Sequence, residues 1–151
     1  MLALVGFVGL CLLVGAAGGT LTESGLRGWY LSLAQPPGTP PNWVFAPVWA
    51  LLYVLIGLSA WLVWERPAHR RALRTWGWQL LLNAAWTPAF FGLGQIALAL
   101  VVIVALIGAI CHTIIVFARV RPAAALLLAP YLAWTCYAAY LNAGFWWLNR
   151  A

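Results

Sequence analysis

Five stretches of this sequence run for 18 residues or more with almost no charge: residues 2–19, 43–64, 75–92, 96–118 and 123–148. At a helical rise of ~1.5 Å per residue, each is long enough to cross a hydrocarbon layer ~30 Å thick. Composition agrees. Hydrophobic residues make up 66% of the 151 and charged residues 7%, against about 45–50% and about 25% in an average soluble domain. The expected fold is an all-α integral membrane protein, a bundle of five transmembrane helices forming a single domain over residues 1–151. A long connection, residues 20–42, follows the first span. That span lacks the basic start of a signal peptide and is expected to be retained.

Arginines orient the bundle. Arg66, Arg70, Arg71 and Arg74 fall between the second and third spans, and Arg119 and Arg121 between the fourth and fifth. With five spans, these two connections share one face. The other face carries only Arg27 and Arg150. The positive-inside rule then places the N-terminus in the cytoplasm and the C-terminus outside. The net charge of +6 is mostly this topological signal and implies no nucleic-acid partner.

Ordinary catalytic groups are scarce. The chain has no Asp, and its two acids, Glu23 and Glu65, lie outside the apolar runs, which disfavours hydrolytic triads and paired-carboxylate chemistry. His112 follows Cys111, but neighbours on a helix point about 100° apart, so no metal site is expected. His69 belongs to the basic connection. Cys11, Cys111 and Cys136 lack CxxC spacing and read as small buried residues.

The eleven tryptophans divide by depth. Trp43, Trp61, Trp64, Trp76, Trp78, Trp146 and Trp147 lie near span ends, where indoles favour the headgroup level. Trp49, Trp86 and Trp134 lie deeper, where an indole N–H needs an internal acceptor or a polar cavity. Helical spacing groups Trp49 with Tyr53 and Ile56. It likewise groups Gln79, Asn83, Trp86 and Phe90 in the third span, and Tyr131, Trp134, Ala138, Leu141 and Asn142 in the fifth. Two readings fit these stripes: plain helix-on-helix packing, or an aromatic-walled pocket for an apolar ligand. Pro88 and Pro130 are expected to kink their helices. The connection carries Trp29, Tyr30, Pro36, Pro37, Pro40 and Pro41 and suits either a lid or a segment lying on the membrane surface.

Four segments in register, "GWYLSLAQPPGTPPNWVF", "APVWALLYVLIGLSAWLVW", "QLLLNAAWTPAFFG" and "APYLAWTCYAAYLNAGFWWLN", resemble the translocator protein family, also called tryptophan-rich sensory proteins or peripheral-type benzodiazepine receptors. The resemblance spans nearly the whole chain. It implies a five-helix bundle that binds tetrapyrroles such as protoporphyrin IX, sterols in animal members, and benzodiazepine-site drugs, with no cofactor required. Its pocket carries over to Tyr30 and Pro40 of the connection, Trp49 and Tyr53, Asn83, Trp86 and Phe90, and Trp134 and Ala138. The resemblance also implies an alternative in which Trp49 and Trp134 support light- and oxygen-dependent porphyrin breakdown. Gln35 replaces the usual Lys before the first Pro. Ala143 and Trp147 replace the Tyr and Arg of the animal sterol motif, which puts sterol recognition through it in doubt. Gly15 and Gly19, and more weakly Ala105 and Ala109, allow close helix approach, within one chain or in a homodimer, which the resemblance favours. The expected partners are a porphyrin or lipid-like small molecule and membrane lipids, in a bacterial membrane.

Overall fold

A computed structural model describes residues 1–67 and 69–150; Ala68 and Ala151 lie outside the described residues. Helix α1 (Leu2–Arg27) is followed by a connection with two short 3-10 turns, Trp29–Ser32 and Asn42–Val44. Then come α2 (Phe45–Trp64), α3 (His69–Thr87) with a widened turn at Pro88–Gly92, α4 (Ile96–Val120), α5 (Pro122–Leu126) and α6 (Ala129–Leu148). Helices α5 and α6 form one crossing, so five rods result. Four of these, Leu2–Arg27, Asn42–Trp64, Ile96–Val120 and Pro122–Leu148, are long and apolar enough to cross a membrane. The rod α3 is long enough but more polar, because Arg70, Arg71 and Arg74 open it and Gln79 and Asn83 lie on its buried face.

Helix α1 packs on α2 and α3, α3 on α4, α4 on α5 and α6, and α2 on α3, α5 and α6. The rods therefore form a ring in the order first, second, fifth, fourth, third. Arg121 ties the two basic connections together: its Nη1 lies 3.3 Å from Glu65 Oε2 and donates to Leu62 O at 3.4 Å.

Four expectations are corrected. Of the three cysteines expected to be buried, Cys11 is, but Cys111 is half-buried and Cys136 is exposed. Helix α1 does not stop at residue 19 but runs on to Arg27. In its polar tail Thr20, Thr22 and Ser24 find partners within the helix, their hydroxyls donating to carbonyls three or four residues back, Ala17, Gly18 and Leu21. The pair Glu23 and Arg27 adds an i, i+4 ion pair. The connection is accordingly shorter than residues 20–42. Pro130 does not kink a helix. It sits in the first turn of α6, where its missing N–H has no role, and the chain breaks ahead of it at Leu127 and Leu128. Trp76 is not a headgroup anchor. Helix α3 begins at His69, so Trp76 lies two turns in, buried, donating from Nε1 to Ile56 O at 3.1 Å and meeting Phe7 edge-on.

Pro88 does disturb its helix. Without an N–H it cannot continue the i→i−4 ladder, and the chain widens so that Leu93 N donates to Pro88 O at 2.8 Å and Gln95 N to Ala89 O at 3.0 Å. This turn buries Ala89, Phe90 and Phe91. Gly94 leaves it at φ +64 against the face of Trp29, a backbone angle that favours glycine.

The two ends of the α1–α2 interface differ. At one end a Cβ on Gly57 would stand 2.6 Å from Val8 Cα, so the two backbones touch. Further along, Gly15 receives the ring of Tyr53 at 2.5 Å from its ideal Cβ position. Gly15 thus packs within the chain. Beyond it the helices part.

Candidate functional site

Where α1 and α2 part, a cavity of about 510 Å³ opens. The local sequence explains it: Gly15, Ala16, Gly18 and Gly19 on α1 face Ala46 and Ala50 on α2, and none is large enough to fill the wedge. Its back wall is aromatic, made of Phe45, Trp49, Tyr53, Trp86 and Phe91, with Thr87 beside them. Thr22, Glu23 and Asn42 supply polar groups at the loop end. Leu12, Ala16, Gly19, Ala46 and Ala50 along the seam are exposed, so the cavity opens sideways between α1 and α2.

A second, much smaller hollow of about 30 Å³ lies beneath the connection, lined by Tyr30, Phe90, Ala138, Leu141, Asn142 and Phe145. Phe45, Trp86 and Phe91 line both spaces and so form an aromatic partition between them. Trp86 stacks on Phe90 with centroids 5.5 Å apart, and its Nε1 donates to Asn142 Oδ1 at 3.1 Å. Asn142 in turn donates to Ile96 O at 3.0 Å. These bonds fix the partition in place.

The inward stripes expected on α2, α3 and α6 do face the interior. Of the nine expected site residues, Trp49, Tyr53 and Trp86 line the larger cavity, while Tyr30, Trp86, Phe90 and Ala138 line the smaller one. Asn83 lies below both as a bridge: Tyr53 Oη donates to Asn83 Oδ1 at 2.6 Å, and Asn83 Nδ2 donates to Tyr131 Oη at 2.9 Å. One amide therefore satisfies two buried phenols from different helices. Trp134 stands one side chain behind the wall, meeting Phe45 edge-on at 6.2 Å and Tyr137 at 5.4 Å. Its Nε1 is buried and has no hydrogen-bond partner among the described residues. Pro40 is half-buried in the connection.

The connection is fastened to α6. Ala34 N donates to Asn149 Oδ1 at 2.9 Å, and Asn149 Nδ2 returns to Ala34 O at 3.0 Å. Tyr140 donates to Pro37 O at 3.1 Å, and Tyr137 to Gly38 O. Pro36 presses on Gly144, where a Cβ would come within 2.5 Å. Tyr30 seals the smaller hollow against Phe90, Phe91 and Phe145, and burial pushes its phenol above the ordinary tyrosine range.

The family model of the TspO/MBR family matches residues 7–148. The chain belongs to this family. Among its relatives, the tryptophan-rich protein TspO of Chlorobaculum tepidum is 40% identical over 139 residues, covering 89% of this chain and 88% of that protein. The translocator protein of Ovis aries is 40% identical over 147 residues, covering 91% and 87%. A tryptophan-rich sensory protein of Cereibacter sphaeroides is 37% identical over 114 residues, covering 76% and 72%. These TspO/MBR relatives carry the names of translocator and sensory proteins, not of enzymes. Membership agrees with the four membrane-length rods.

The resemblance implies a pocket wall from the first helix, but sequence reasoning named none of its lining residues, Leu12 to Leu26, nor the partition residues Phe45 and Phe91. The signal for the first was present as the run "GAAGG", residues 15–19, too small to fill space against a neighbour. No spacing rule marks Phe45 or Phe91.

Proposed function

We propose that this chain is a multi-pass membrane receptor or carrier for a flat, apolar ligand of the porphyrin class, such as protoporphyrin IX. The observation that carries this reading is the 510 Å³ cavity with a back wall of aromatic rings and with glycines and alanines along the seam where α1 and α2 part. A planar π-system gains most by stacking on rings, and the small residues of the seam leave room beside them. Few polar groups line it, as suits a ligand that is mostly apolar. The resemblance to tetrapyrrole-binding members supplies the ligand class. The shared face of the two arginine connections supports a cytoplasmic N-terminus, and relatives such as the bacterial one of Chlorobaculum tepidum support a bacterial membrane.

Titration of the purified protein with protoporphyrin IX tests the reading. Saturable tryptophan quenching is expected, with Trp49→Phe weakening binding. No quenching in the wild type overturns it. The same titration under illumination checks the breakdown alternative, which requires porphyrin loss that depends on the protein and falls in Trp49→Phe.

A further inference from the structure

Among the described residues, Glu23 is the one charged side chain lining the large cavity. It is held by Arg27, one helical turn on, in an exposed ion pair. A helical side chain leans back toward the N-terminus, so the guanidinium of Arg27, itself outside the cavity lining, reaches back to Glu23 at the cavity's loop end. The other cation at this end of the bundle, Arg150, is engaged elsewhere: its Cζ lies 3.5 Å from the centroid of Trp147 and 5.5 Å from that of Trp146. Residue 35 in the connection is an uncharged glutamine. Arg27 is therefore the cation best placed to meet an acid at the cavity rim, and a carboxylate already occupies it.

A flat ligand with an apolar core and carboxylate arms must leave the arms at this rim, because the aromatic wall and the acyl chains offer no solvation for charge. Such an acid reaches Arg27 only by displacing Glu23, which then faces it as a like charge. An exposed i, i+4 pair is weak, so the exchange is easy; the repulsion is what remains.

Building on the porphyrin reading, we propose that Glu23 is a specificity-determining residue that competes with the ligand for Arg27. It biases the cavity toward flat ligands whose acids are absent or esterified over free diacids.

The experiment compares protoporphyrin IX with its dimethyl ester in wild type, Glu23→Gln and Arg27→Gln, reconstituted in neutral-lipid nanodiscs. Glu23→Gln is expected to tighten the diacid about five-fold, the order carried by one unit-charge contact at ~4 Å in a near-aqueous dielectric. The ester should change less than about two-fold. Arg27→Gln is expected to weaken the diacid by a similar factor and spare the ester. Raising salt should shrink both effects, since exposed charges are screened. Equal responses of diacid and ester, or none, with both bound by wild type, overturn this inference and leave the binding reading standing. Wild-type protein that binds neither overturns both.

Discussion

The two ends of the α1–α2 seam are built from the same residue types and behave in opposite ways. At the N-terminal end of α1, Gly57 lets two backbones touch, and Phe7, Ile56, Val63 and Trp76 close the interior around them. At the other end Gly18, Gly19, Ala46 and Ala50 face each other across empty space. A small residue therefore has no fixed meaning. Where large neighbours on adjacent rods already fill the interior, it brings helices together; where no bulky side chain fills the gap, it leaves a hollow.

This contrast can be broken most severely at Gly57. Gly57→Ala places a methyl 2.6 Å from Val8 Cα, and backbone cannot step aside, so a loss of about 2 kcal/mol is expected, within the usual cost of overpacking. Gly19→Ala meets nothing within 4 Å and should be neutral or slightly stabilising, given alanine's better helix propensity of about 1 kcal/mol. Thermal melting in detergent measures both, and similar melts would mean the two ends are equally loose.

Next comes the bridge between them. Asn83→Leu strands the phenols of Tyr53 and Tyr131 and should cost about 1–2 kcal/mol, since intramembrane hydrogen bonds contribute about 0.6–1.7 kcal/mol each. A melt unchanged from wild type would remove the bridge from the account.

The open end is sharpened by two indoles. Trp49→Phe removes cavity wall and should weaken porphyrin several-fold, whereas Trp134→Phe acts from behind Phe45 and should do less. An equal loss in both would indicate that the partition moves aside when ligand enters. The smallest effect is expected at the connection. Tyr137→Phe with Tyr140→Phe removes two of its ties to α6 and should cost about 1 kcal/mol or less in melting, while raising amide exchange across residues 33–41.

How much of this was legible depended on whether a residue's chemistry or only its absence of bulk mattered. The stripes on α2, α3 and α6 could be read because Trp, Tyr and Asn in lipid must find partners, and helical spacing says which of them share a face. The Asn83 bridge and the acceptor for Trp86 follow from that rule. Trp134 obeys the spacing, yet its ring ends behind Phe45 with no partner for its N–H among the described residues, a matter of side-chain packing that spacing cannot encode. The first helix was hardest. Its contribution is the room left by glycines, and the residues that extend it, Thr20 to Ser24, look like a loop until their hydroxyls are seen turned back on the backbone.

The connection is tied to α6 and leaves the α1–α2 seam uncovered along its flank. A molecule dissolved among the acyl chains would meet this entrance by diffusing in two dimensions, without returning to water. Occupancy would then follow the mole fraction of guest in the surrounding lipid, and a dissociation constant expressed per litre of buffer would vary with how much bilayer or micelle is supplied.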